Sequence, residues 1–325
     1  MRCYFLSDTD PAFNLAAEDY LFTARDTDCF MLWRNQKAVV VGRNQHTLSQ
    51  IQADAVRFHR IPVLRRITGG GTVYHDLGTV NFTFIRTFKT FPQIDFSPFI
   101  QPVMAYLHSL SVPALADGRN DLLADGLKIS GNAQHIQKNR ILHHGTLLFE
   151  TDLDILDAVI AMDSAKYAGR GVPSVRSRVT RIREYLSPRI SVEAFMEGLF
   201  AFVQAELKGS PAVLSASERT SITHLAESRY RRWDWNFGAS PPYNFRKSTR
   251  TPGGTLDVRM AVQGGIIQSL RIFGDYFGRV DIRNLEARLE GCRHHPDAIH
   301  QVLDKIPLSA CIHGISPDTL ISALF

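Results

Sequence analysis

The residues best equipped for chemistry lie between Leu64 and Phe84. Arg65 and Arg66 precede three consecutive glycines, Gly69, Gly70 and Gly71, and the pair His75–Asp76 follows. Glycine has no Cβ, so this backbone can come close to a ligand and can adopt positive φ. Successive N–H groups in such a turn can form an anion-binding nest. Guanidinium is the fork that best fits carboxylate or phosphate. A glycine-rich hairpin with two surface arginines is the plainer reading of the same residues. The loop matches no common phosphate fingerprint. The chain has no Gly-Lys-Ser/Thr ending, and Tyr74 stands where GxGxxG would need its third glycine. Residues 63–66 read as a strand entering the loop, and 72–75 and 80–85 as strands leaving it, so no helix N-terminus is on offer.

A second stretch runs from Gly118 to Glu150. Ala124-Asp125-Gly126 is a turn signal. Residues 127–136 then alternate, with Leu127, Ile129, Gly131, Ala133 and His135 on one face and Lys128, Ser130, Asn132 and Gln134 on the other. After a turn at Lys138-Asn139, residues 141–149 return as a strand. Lys128 is thus expected on the polar face of a hairpin, where an ordinary solvent-facing lysine is the plainer reading. His143 and His144 are adjacent, so they point to opposite faces and are poorly placed to share a metal.

Together these stretches resemble the lipoate–protein ligase A family of the bacterial two-domain type, within the biotin/lipoate ligase superfamily. Four motifs occur in the family's order: an RR-x-[ST]-GGG-x-V-[FY]-HD-x-G loop, a G-R-N-D segment, a K-[IV]-SG-x-A strand and an HHGTLL strand. DPAFNLAAEDYLF near the start, MLWRNQKAVVVGRNQ at 31–45, SVRSRVT at 174–180 and WDWNFG at 233–238 also match. The resemblance covers nearly the whole chain. The sequence departs from the pattern at Ile67 and Thr72, where smaller residues are frequent, and at Asn132, where serine is usual.

The resemblance implies a two-step reaction. Lipoate and ATP give lipoyl-adenylate and pyrophosphate, and the lipoyl group then passes to a lysine of a carrier domain. The implied carriers are 2-oxoacid dehydrogenase E2 subunits and the glycine-cleavage H protein. The family's essential lysine falls on Lys128. Its adenylate-contacting loop falls on Arg66, Gly71, Thr72, Val73 and Tyr74. Lipoate contacts fall on Gly70, Gly71, His75, Lys128 and Ala133. Asp121, Ser130, His144, Arg176 and Arg178 are further candidates, and residues 174–180 resemble a mobile loop over the adenylate. These residue types suit the chemistry. Adenylation joins two anions, so charge on the α-phosphate must be stabilised. A lysine cationic at neutral pH serves as an electrostatic clamp rather than a nucleophile. Asp121 is a candidate to orient Lys128 or a magnesium ion, and a turn-capping aspartate is the alternative. Magnesium is implied by ATP chemistry. The apolar tail of lipoate needs an apolar slot, for which Val39, Val40, Val41, Val73, Phe82 and Phe84 are candidates, although core packing explains them equally.

Two other functions compete. Octanoyl transferases of the same superfamily use a cysteine nucleophile. Here the cysteines stand at 3, 29, 292 and 311, with none in the glycine-loop region, so thioester catalysis is poorly supported. A lipoyl transferase that takes a preformed activated donor remains the principal alternative. The third is a binding module for nucleic acid or a biotin-like ligand. Net charge is +5, and RYRRWDWNF at 229–237 could stack bases. A basic face that steers an acidic carrier, or a solvated helix end, explains it as well. No nucleic-acid partner, no membrane association and a monomeric state are expected. A cytoplasmic protein is expected too, since no apolar run reaches membrane-spanning length and the start lacks signal-peptide shape.

At 325 residues two domains are expected: a catalytic domain over 1–240, a linker over 241–254 rich in Pro, Gly and polar residues, and a C-terminal accessory domain over 255–325. Mixed strands and helices without regular βαβ alternation predict an α+β fold. Its large domain would carry a mixed or antiparallel sheet flanked by helices, and the C-terminal α/β unit would be small. Predicted helices cover 14–23, 99–110, 153–161, 192–207, 217–229, 282–290, 298–305 and 317–324. The accessory unit carries no catalytic constellation and is expected to gate the carrier's approach.

Overall fold

A computed structural model describes the chain except residues 25–26, 91, 93, 118–119, 161–166 and 170–177. The described residues fall into two compact units, one of residues 1–43, 61–160 and 174–232, the other of 44–60, 161–173 and 233–325.

In chain order the strands are β1 (Arg2–Phe5), β2 (Cys29–Arg34), β3 (Ala38–Val41), β4 (Val63–Arg65), β5 (Val73–His75), β6 (Thr79–Thr87), β7 (Ala114–Asp117) and β8 (Asp121–Ala124). They continue as β9 (Leu127–Gln137), β10 (Arg140–Leu148), β11 (Tyr167–Gly169), β12 (Ser210–Ala212), β13 (Tyr243–Thr251), β14 (Gly254–Gln263) and β15 (Ile266–Gly274). The first unit holds an eight-stranded mixed sheet in the order β12-β1-β2-β6-β10-β9-β8-β7, and a small sheet β4-β3-β5. The fold is α+β, as expected.

One face of the large sheet is covered by the helices Ser97–Ser109 and Val192–Glu206, and Phe82, Phe84, Phe99, Val103, Phe195 and Leu199 fill the layer between. Full burial of each such side chain contributes about 1.5–3 kcal/mol. Phe82 and Phe84 are therefore core residues. Helix α1 (Pro11–Thr23) begins three residues before the predicted start. Asp10 caps it by accepting from the Ala12 N–H at 3.0 Å, and Pro11 sits at its first position.

The second unit is built on the sheet β11-β13-β14-β15. Leu256, Val258, Leu270 and Ile272 pack there with Leu285, Ile299 and Leu320 from the helices that follow. The 241–254 stretch is not a free linker. Tyr243 and Phe245 of β13 are buried in this core, and β13 pairs with β14 along its whole length. The alternation that buries them is short and flanked by Pro and Gly, which masked the strand. Residues 44–60, expected within the catalytic domain, belong to this unit. Among the described residues no helix is long and apolar enough to cross a membrane.

Candidate active site

Lys128 lies near the start of β9, and its ammonium stands 2.9 Å from Asp121 Oδ1, with both side chains about one-quarter exposed. Asp121 opens β8, which pairs with β9. The register there skips Ile129: Leu122 faces Ser130 and Leu123 faces Lys128. This bulge overturns the simple alternation expected of β9. Ser130 and Asn132 are buried and bonded to each other at 3.2 Å, whereas a Cβ on Gly131 would come within 3.1 Å of Lys128 Nζ. Lys128 therefore shares the side of Gly131, not that of Ser130 and Asn132. Its backbone is held as well: Lys128 N–H donates to the Arg178 carbonyl at 2.8 Å and Thr180 N–H to the Lys128 carbonyl at 3.0 Å. Arg178 is exposed, and Arg176 lies outside the described residues.

Asn132 has a definite task. Its backbone N–H and its side-chain Nδ2 both donate to the Asn120 carbonyl, at 2.9 and 3.0 Å, and Asn120 Nδ2 donates back to the Asn132 carbonyl at 2.9 Å. The residue before Asp121 is thereby tied to β9 by three bonds. His143 lies beneath, stacked on Phe99 with ring centroids 4.8 Å apart. Burial holds its pKa well below the ordinary histidine value.

The glycine loop joins β4 to β5, strand–loop–strand as expected. Of its three glycines only Gly70 has positive φ, at 87°. The arginines do not lie on the surface. Arg65 is fully buried and donates to the carbonyls of Gly42 and Arg43 at 2.9 and 2.8 Å. Arg66, 5 % exposed, donates from Nε to Thr68 Oγ1 at 2.9 Å, from Nη1 to the Val40 carbonyl at 3.1 Å, and from Nη2 to the carbonyls of Gly69 and Gly71 at 2.6 and 2.7 Å. Four donations draw on five N–H groups. Arg66 thus shapes the loop from within, a role the direct adenylate contact implied by resemblance does not include. Burial, the largest cause, pushes its pKa down to about 10, so it stays cationic at neutral pH.

The loop rests on the hairpin β9–β10. A Cβ on Gly70 would stand 3.6 Å from Ala133 Cβ, and Thr68 Oγ1 is 2.8 Å from His144 Nε2. Ala133 and His144 are cross-strand partners, so both project from one face. His143 and His144 do point to opposite faces. His75, 3 % exposed, has Nδ1 2.9 Å from Asn35 Nδ2, while its Nε2 has no hydrogen-bond partner among the described residues. The amide nitrogen can only donate, so Nδ1 accepts and Nε2 carries the proton. Burial first, then the nearby Arg66, pushes the His75 pKa down to about 3. Tyr74 is buried, with its hydroxyl unpartnered among the described residues and its pKa raised by burial. Thr72 is largely buried and Val73 half-buried.

The assembled site offers a cationic lysine, a neutral histidine N–H and glycine-loop backbone within one unit, which suits an anionic ligand. The cysteines are poorly placed as nucleophiles: burial raises all four thiols, that of Cys29 to about 12 and that of the partly buried Cys292 to about 11. The basic run is likewise committed. Arg229 pairs with Asp19 at 2.5 Å, and Arg231 with Asp10 and Glu227. Sequence reasoning overlooked Glu18, Thr68, Asn120 and Gly42. A Cβ on Gly42 would come within 2.2 Å of the Gly70 carbonyl oxygen.

Comparison with known proteins gives the chain its family. The family described as the lipoyl protein ligase A/B catalytic domain matches residues 10–204, and the bacterial lipoate protein ligase C-terminus matches 240–324. The Bacillus subtilis lipoate-protein ligase LplJ is 36 % identical over 321 residues, covering 97 % of each chain. Among solved structures, P. falciparum LipL1 in complex with lipoate superposes with a TM-score of 0.62 at 22 % identity, covering 94 % of this chain and 95 % of that one. A lipoate-protein ligase A bound with ATP superposes with a TM-score of 0.62 at 24 % identity, covering 73 % of this chain and 98 % of that one. The chain belongs to the lipoate–protein ligase family.

Proposed function

We propose that this protein is an ATP-dependent lipoate–protein ligase whose chemistry is centred on Lys128. The observation that carries the reading is the cationic lysine, held by Asp121 at 2.9 Å, on the Gly131 side of the hairpin that supports the glycine loop. Family membership and the ATP- and lipoate-bound relatives agree with it.

In the first step a lipoate carboxylate oxygen attacks the α-phosphorus of ATP. The bond to the bridging β-phosphate oxygen breaks and pyrophosphate leaves. ATP enters as its magnesium complex, which is substrate here. Lys128 spans the carboxylate and the α-phosphate, offsetting their repulsion and the charge that develops between them. Loss of one such donor costs about 3–4 kcal/mol in the barrier. The protonated Nε2 of His75 and the backbone N–H groups of Gly70 and Gly71 are the neutral donors that orient the anion. In the second step the amine of a carrier lysine attacks the acyl carbon, the mixed anhydride opens, and AMP leaves with the amide formed and a proton released. The carriers are lipoyl domains of 2-oxoacid dehydrogenase E2 subunits and the glycine-cleavage H protein.

The test is mass spectrometry of an unmodified lipoyl domain incubated with the protein, lipoate, ATP and magnesium. A lipoyl-sized gain that needs ATP is expected. A gain from synthetic lipoyl-adenylate but none from lipoate and ATP would make the protein a transferase without the activation step. No gain from either would overturn the reading.

A further inference from the structure

We propose that Glu18 is a positioning residue for adenylation: its buried carboxylate fixes the His144 tautomer that holds Thr68, and through Thr68 the Arg66 guanidinium and the glycine loop. The proposal rests on the ligase reading above.

Glu18 lies on α1 and is 1 % exposed. Two chains of donors converge on its Oε1. Trp33 Nε1–H donates to Thr83 Oγ1 at 3.0 Å, and the Thr83 hydroxyl donates to Glu18 Oε1 at 2.7 Å. From the other side His144 Nδ1 stands 2.8 Å from the same oxygen. An ionised carboxylate can only accept. His144 Nδ1 must therefore carry a proton, and in the singly protonated ring Nε2 is left as an acceptor. The Thr68 hydroxyl, 2.8 Å away, then donates to Nε2 and keeps its lone pairs for Arg66 Nε–H at 2.9 Å. Each link has one direction, from Arg66 through Thr68 and His144 to Glu18. At its end Arg66 gathers the carbonyls of Gly69 and Gly71.

A purely structural role gives little reason for a carboxylate here. Burying a charge is costly, and an uncharged side chain of similar volume is often as stable or more so. Glu18 also leaves Oε2 without a hydrogen-bond partner among the described residues. What an apolar replacement could not do is dictate which nitrogen of His144 is protonated. Without that instruction Nε2–H would donate to Thr68, and the Thr68 hydroxyl would turn from His144 to the Gly69 carbonyl, 3.4 Å away, changing how Thr68 holds the loop. Misplacement of reacting groups by about 1 Å costs about a hundredfold in rate.

The experiment uses the full chain carrying Glu18→Gln, Glu18→Met or Thr68→Val. Adenylation is followed by lipoate-dependent ATP–pyrophosphate exchange, with kcat and KM measured separately. Glu18→Gln keeps an acceptor oxygen and is expected to retain kcat within about threefold. Glu18→Met keeps volume, removes the acceptor and is expected to lower kcat about ten- to a hundredfold. Thr68→Val cuts the chain at a second point, without disturbing the carboxylate, and is expected to show a loss of the same order even if Glu18→Met folds poorly. Nitrogen-15 NMR of the imidazoles should find His144 of the unaltered protein protonated at Nδ1. Unchanged kcat in Thr68→Val, equal losses in Glu18→Gln and Glu18→Met, or a His144 protonated only at Nε2 would each overturn the proposal. An unaltered protein without exchange would instead overturn the ligase reading, and this role with it; normal exchange in every variant defeats the proposal alone.

Discussion

Lys128 is an exposed-strand lysine by composition and spacing, and only the family resemblance singled it out. The structure adds what spacing could not supply: a bulge that moves Lys128 to the side of Gly131, and Asp121 at 2.9 Å. With both side chains about one-quarter exposed, the ion pair contributes on the order of 1 kcal/mol to stability. Asp121→Asn should therefore leave the melting temperature within a few degrees of the unaltered protein, yet lower kcat for pyrophosphate exchange about tenfold through loss of lysine placement. A melting temperature and a kcat that both stay unchanged would remove Asp121 from the site. Glu18 was illegible for a different reason. A lone glutamate in an apolar helix looks like any other until Thr83 and His144, 65 and 126 positions away, close on it. Arg66 was legible as important and illegible as to role, because burial and four donations to its own loop are tertiary facts.

At the scale of elements, most strands and helices could be read from periodicity and turn residues. The helix Pro317–Leu324 falls where predicted. The reading failed where local pattern and tertiary use diverge, as in β13 behind its Pro-Gly flanks, and in β9, whose polar side faces the core. The glycine loop gives a graded test of the architecture. Gly69 has open space at its Cβ position; Gly70 combines a φ of 87° with Arg66 Nη2 at 3.0 Å; Gly42 would meet the Gly70 carbonyl at 2.2 Å. Alanine at 69 should therefore leave stability within about 0.5 kcal/mol. Alanine at 70 or 42 should each lower stability by about 1–3 kcal/mol and depress pyrophosphate exchange. Thermal melts of the three variants check the order, and an equal effect at 69 and 42 would contradict the packing. Replacing Asn132 with Ser removes the Nδ2 bond to Asn120. Exchange should fall severalfold while the fold persists, which circular dichroism and kinetics on the same sample would report.

For the whole molecule, buried histidines set the acid side of stability. The folded pKa is pushed down to about 3 for His75 and to about 4 for His294, and lies well below the usual value for His143, by burial in each case. The unfolded chain takes up protons near pH 6.5, and the folded chain does not until those lower values. Between them the unfolded state binds more protons, so stability falls as pH drops from about 6.5 toward 4, by up to about 1.4 kcal/mol per pH unit per histidine. Calorimetry at pH 7, 6 and 5 should show falling melting temperatures, in the unit holding His75 and His143 and in the unit holding His294. A flat profile would contradict the burial of neutral imidazoles.

Activation of lipoate with ATP by Lys128 and the glycine loop is read by lipoate-dependent ATP–pyrophosphate exchange, which reports the first step alone. The unaltered protein should exchange label only when lipoate is present, and Lys128→Met, folded to the same melting temperature within a few degrees, should lose about a hundred- to a thousandfold in kcat. Exchange that ignores lipoate, or a Lys128→Met protein that exchanges at the full rate, would contradict the account.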